Sequence, residues 1–241
     1  MTAAAASPAP RRPDAWHARL RRQVATHWPV KMVGTIVWIA GFFWLYFWVM
    51  RHPAAGSATR LMPVTWIDRL VDVHEWALLP YASLWFYVGL APAFAKDRAE
   101  LITYSRSAFV LCAGGLLFFW LVPTAVPGFS VDWNTYPALS FLKARDGGAN
   151  AFPSLHVAFA VHSLVFIRRA LLAVVAPLAT HLANWAWAAV ILWSVIATRQ
   201  HVFVDVVGGI AAGMASLAFA REAWSGAGRS KLVAVPSERE H

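Results

Sequence analysis

Six apolar runs joined by short polar links leave this 241-residue chain few ways to fold. A helix needs about 20 mostly apolar residues to cross a hydrocarbon layer about 30 Å thick. Runs of that kind stand at 32–50, 76–94, 101–122 and 202–220. The stretch 154–197 supplies two more, divided by Arg168, Arg169 and Pro177: one helix is expected from 154 to about 167, another from about 182 to 197. Both are short, which is tolerable where the arginines snorkel to the surface and the facing ends are covered by protein. The fold class is therefore all-α, a polytopic membrane protein built as a six-transmembrane-helix bundle with interfacial helices. Composition agrees, since 59% of the residues are hydrophobic and only 14% charged, against a usual quarter.

The domain plan follows from what flanks the runs. Residues 1–30 read as a cytoplasmic tail and an amphipathic interfacial helix: 1–13 are Ala- and Pro-rich with no apolar core, while Trp16, Leu20, Val24 and Trp28 recur every fourth residue among Arg19, Arg21 and Arg22. Residues 31–221 form the six-helix catalytic domain, and 222–241 a flexible cytoplasmic tail. A second interfacial helix is expected after the first crossing, where Trp66, Ile67, Leu70, Val71 and His74 share one face and Asp68, Arg69, Asp72 and Glu75 a solvated one. Gly209 and Gly213 mark a face on which a neighbouring helix approaches closely. His162, six residues past His156, reads as a packing residue.

Charge orients the bundle. Twenty-one Lys and Arg against 12 Asp and Glu give a net +9. With six crossings, Arg51, Arg60, Arg69, Lys143, Arg145 and Arg199 lie on one side, Arg106 lies within the third run, and all remaining basic residues share the side of the two tails. The richer side is cytoplasmic. Both termini are thus expected on the cytoplasmic side of an inner (cytoplasmic) membrane, and the loop 123–153 and the turn 198–201 on the extracytoplasmic face. In so apolar a chain the excess charge speaks for orientation and lipid phosphate, not for a nucleic-acid partner. The lone Cys112 excludes an intrachain disulfide and a thiolate cluster.

Ionisable groups near a bilayer are costly, so they are read for function first. In NAFPSLHVAF, residues 150–159, Pro153 can open a helix whose first turn carries Ser154 and His156, and free N–H groups at such an end favour phosphate. In TRQHVFVDVVGG, residues 198–209, His201 and Asp205 are four apart on one helical face, so the carboxylate can take the second imidazole N–H and leave the other nitrogen to attack. Arg199 lies beside them, and Lys143 and Arg145 bring charge on the outer loop. The topology makes all three regions converge on one face. Two histidines, a carboxylate and cations suit phosphoryl transfer, which needs a nucleophile, a proton donor and charge neutralisation.

PSLH at 153–156, followed by His201 and Asp205, resembles the type 2 phosphatidic acid phosphatase superfamily over roughly 101–220. The family's usual motifs are P-S-G-H and S-R-x5-H-x3-D; here Leu155 stands for the glycine and only Gln200 separates Arg199 from His201. Both departures resemble the branch containing inositol phosphoceramide synthases. The resemblance implies that His201 attacks phosphorus, Asp205 orients it, His156 protonates the leaving group, and Ser154 and Arg199 bind phosphate, with no metal and no cofactor. The family's first motif, K-x6-R-P, is missing before the fourth helix, and Lys143 or Arg145 are expected to substitute.

The function so read is a lipid phosphatase or phosphotransferase acting on a lipid phosphate or diphosphate ester at the outer leaflet through a phosphohistidine. Its partners are that lipid substrate and the surrounding membrane lipids. The alternative within the class moves a phosphorylated, phosphoinositol-like headgroup from a phospholipid to a lipid alcohol. Readings of other classes are a haem protein using His156, His162, His181 or His201, and a non-catalytic membrane scaffold or transporter.

Overall fold

The computed structural model describes residues 15–145 and 148–232, the side chains of 145 and 220–232 excepted. The 1–13 tail and the last residues of the C-terminal one lie outside this range. Of the described residues, 73% are helical. An amphipathic helix α1 (Trp16–Ala25) turns at His27, in the left-handed region, into α2 (Trp28–Arg51). Arg19 of α1 donates to Val174 O, and buried Lys31 of α2 donates to Gln23 O, Ala93 O and Ala95 O at 2.6–3.1 Å. The interfacial segment is thereby tied to carbonyls freed at helix ends, which cations satisfy well.

The expected second interfacial helix is a short α3 (Trp66–Leu70), opened by a capping box between Thr65 and Asp68. Its polar face is not simply solvated. Asp68 is fully buried, and its Oδ1 accepts the N–H of Phe203 at 2.7 Å, at the start of another helix. The expected crossing at 76–94 is broken into a 3-10 turn (Glu75–Ala77), α4 (Leu78–Ala82) and α5 (Leu84–Ala93). Pro80 lacks an N–H, and Ser83 Oγ donates back to Pro80 O at 2.7 Å, both of which interrupt the helical ladder.

Asp97 caps α6 (Arg98–Leu121) by accepting the N–H of Glu100 at 2.8 Å. A loop helix α7 (Pro137–Arg145) precedes α8 (Leu155–Ala173), α9 (Leu178–Ala197) and α10 (Phe203–Leu232). The inner boundaries expected near 167 and 182 are corrected. Arginine is a good helix former and continues α8 through Arg168 and Arg169, with the Arg169 guanidinium 5.5 Å from the Phe166 ring centre; Pro177 sets the real break. α10 likewise continues beyond residue 221.

Among the described residues four helices, α2, α6, α8 and α9, are long and apolar enough to cross a membrane; Phe203–Phe219 of α10 is a shorter apolar helix. α8 is the axis of the bundle, with two thirds of its apolar window buried against 11% for α2. It packs on α5, α6, α9 and α10. Its tightest neighbour is α10: a Cβ on Gly209 would sit 2.5 Å from Ser154 O, and one on Gly213 2.7 Å from Ala158 O. Leu155 is seated on Gly115 of α6, so that glycine makes room for a side chain.

One end of the bundle is laced by backbone, a feature absent from an all-α reading. β1 (Arg60–Leu61) pairs in parallel with β2 (Thr124–Ala125), and Thr124 bridges to Asn150. Ala151 N donates to Thr124 O at 2.9 Å and Phe152 N to Thr124 Oγ1 at 2.8 Å. These bonds fix residues 150–152 just ahead of α8.

Candidate active site

α9 ends in a turn that explains the compact spacing before His201. Arg199 N donates to Ile196 O at 2.9 Å and Gln200 N to Val195 O at 3.1 Å, with Arg199 in the left-handed region at φ 55°. This is the Schellman pattern, whose left-handed position usually carries glycine. His201 N also donates to Val195 O, so the imidazole is delivered at once beside the start of α10.

His201 and His156 line one cavity of about 230 Å³. His201 Nδ1 lies 3.0 Å from Ala151 O and 3.5 Å from Asp205 Oδ2. A carbonyl only accepts, so Nδ1 carries the proton and Nε2 keeps its lone pair. Asp205 is fully buried, and its Oδ2 also accepts the N–H of Val202 at 2.9 Å. On α8, His156 Nε2 donates to Tyr81 O at 2.9 Å, and its ring stacks on Tyr81 with centroids 4.0 Å apart. Each imidazole is therefore held by a backbone carbonyl through one nitrogen.

Of the expected phosphate ligands, Ser154, Arg199 and Lys143 are not among the residues that line this cavity. The guanidinium of Arg199 donates to Asp68 O and Val71 O, both at 2.7 Å, and lies 4.5 Å from the Phe129 ring centre. Burial lowers its pKa from the ordinary value, while Asp68 and Asp72 act in the opposite direction. Arg199 thus ties the end of α3 to the turn before His201. Ser154 is fully buried and caps α8, its Oγ accepting the Val157 N–H at 3.3 Å. Lys143 donates to Arg199 O at 3.2 Å and covers the Trp133 ring. Arg145 closes α7, and its side chain lies outside the described residues.

The cavity contains polar groups that the motifs did not single out. Gln200 is nine-tenths buried, lines the cavity beside His201, and its Nε2 has no hydrogen-bond partner among the described residues. Asn150 lines it too and donates to Tyr46 OH. The rest of the wall is largely aromatic, with Phe42, Phe43, Phe47, Trp85 and Phe159. The one available signal for Gln200 was its place between two assigned residues.

A family model described as the PAP2 superfamily matches residues 48–219. The chain belongs to the PAP2 superfamily. The match spans everything from the end of α2 to Phe219 and so includes both histidines and the carboxylate. No curated protein and no solved structure matches the chain. Membership of the PAP2 superfamily points to a phosphatase-type enzyme, in which phosphatase and phosphotransferase activity are not distinguished.

His162, also on α8, takes no part in the cavity. It is fully buried, with Nε2 2.7 Å from Ser107 Oγ and its ring against Tyr104 and Phe166. It packs as expected, but it is not fully satisfied, since its Nδ1 has no hydrogen-bond partner among the described residues.

Proposed function

We propose that the chain is a six-crossing membrane lipid phosphatase or phosphotransferase that acts at the outer leaflet through a phosphohistidine on His201. The observation that carries this reading is a single cavity shared by two imidazoles, each oriented by a backbone carbonyl, with a buried carboxylate behind one of them. Charge distribution supports tails inside and the cavity end outside.

In the first step Nε2 of neutral His201 attacks phosphorus. The P–N bond forms as the bond to the leaving oxygen breaks, and protonated His156 gives that oxygen its proton. Asp205 offsets the positive charge that develops on the phosphorylated ring. In the second step water or an acceptor hydroxyl gives its proton to the now neutral His156 and its oxygen to phosphorus, and the P–N bond breaks. Gln200 Nε2 and Asn150 are the amide donors placed to meet phosphoryl oxygens, where fixed donors stabilise developing charge. Ser154 assists by fixing the α8 N-terminus, and Lys143 and Arg199 by holding the turn.

Transfer of a headgroup to a lipid alcohol is the second reading. The aromatic wall suits an acceptor that brings an apolar chain, and the F-P-S-L-H string with a compact H-x3-D resembles the inositol phosphoceramide synthase branch. Purified protein incubated with lipid phosphates, diphosphates and phosphodiesters, with and without a lipid alcohol, separates these cases. Free phosphate lost in His201→Ala supports hydrolysis, and a new phosphodiester lipid supports transfer. Equal, negligible turnover by parent and variant overturns both and favours a scaffold or transporter.

A further inference from the structure

A second cavity, of about 930 Å³, opens at the other end of the bundle between α2, α6 and α10. Its α6 wall is one continuous helical face, with Arg98, Ile102, Arg106 and Phe109 three or four residues apart. Arg106 lies about 12 Å along the axis from Arg98 at 1.5 Å per residue, so it stands well inside a helix apolar enough to span a membrane. Both guanidiniums are exposed, and among the described residues neither has a hydrogen-bond, ion-pair or ring partner. His27 adds a third basic group, no acidic residue lines the groove among the described residues, and Trp38, Val110 and Phe219 complete an apolar floor.

An unpaired arginine at membrane depth is costly, and among the described residues none supplies it a counter-ion. The groove pairs basic groups near one helix end with an apolar trough running along the helices, the shape of a lipid with a charged headgroup. We propose that it is a binding site for an anionic phospholipid of the leaflet opposite the histidine cavity, with the headgroup phosphate on Arg98 and Arg106 and an acyl chain along Phe109 and Phe219. Basic pockets between spanning helices are known to hold such headgroups. The site is separate from the chemistry of His201 and stands or falls without it.

The test uses the full chain reconstituted in phosphatidylcholine with a diazirine-acyl phosphatidylglycerol probe, and maps the photolabel by peptide mass spectrometry. The label is expected within 101–110 or at Phe219, competed roughly tenfold better by phosphatidylglycerol than by added phosphatidylcholine, and not competed by inorganic phosphate. It is expected to vanish in Arg98→Gln/Arg106→Gln and to persist in Arg98→Lys/Arg106→Lys. Equal competition by the two lipids, competition by inorganic phosphate, or a label at 42–47 or 81–85 in the histidine cavity overturns the proposal. Competition and mapping on the parent chain decide the matter even where the glutamine variant does not fold.

Discussion

His201 donates its Nδ1 proton to the carbonyl oxygen of Ala151, 3.0 Å away, while Asp205 stands 3.5 Å from the same nitrogen. The tautomer of the proposed nucleophile is thus set by backbone, and the carboxylate adds charge.

Asp205→Asn should consequently be damaged but not dead. The carbonyl still fixes the ring, and the loss is stabilisation of the cationic phosphohistidine, so kcat should fall roughly 100-fold, within the range of one lost electrostatic or acid–base contribution. His201→Ala should reach background. Single-turnover kinetics on the two variants check this; equal inactivity would show that Asp205 alone orients the ring.

Gln200→Ala should reduce kcat/KM by about 10- to 100-fold, the scale of a lost transition-state donor. The melting temperature should be unchanged, because Gln200 Nε2 has no partner within the described protein to lose. A fall in melting temperature with unaltered kinetics would assign Gln200 to packing.

Arg199→Ala should act mainly on stability. Two hydrogen bonds from a charged donor to Asp68 O and Val71 O are removed, at about 1.5–3 kcal/mol each, and alanine keeps the Cβ that strains the left-handed backbone. Thermal unfolding in detergent should show the loss, and Arg199→Gly, which suits the positive φ, should lose less. Unchanged unfolding with a large rise in KM would return Arg199 to the phosphate.

Gly209→Val should separate α8 from α10. Its first added carbon would already meet Ser154 O at 2.5 Å and Val157 Cβ at 2.8 Å, and overpacking of this kind costs about 1–3 kcal/mol or more. Gly114→Val, with open space at its Cβ, is the neutral control. Comparable unfolding temperatures for the two variants would contradict the close helix contact.

The sequence by itself determined most of the apolar segments, the start of α8 next to Pro153 and Ser154, and the buried packing of His162, whereas His201, expected on one helical face with Asp205, lies in the turn before α10. The first three are written in local periodicity or in a side-chain type at a short interval. Tertiary structure alone decided which groups meet. Arg199 reaches Asp68 O and Val71 O across 131 and 128 residues, His201 reaches Ala151 O across 50, and His156 reaches Tyr81 O across 75. All four acceptors are backbone carbonyls, which every residue type carries, so no motif can announce them. The burial of Asp68 was hidden for a related reason: a capping carboxylate and a solvated one look alike until the helix end they serve is in place.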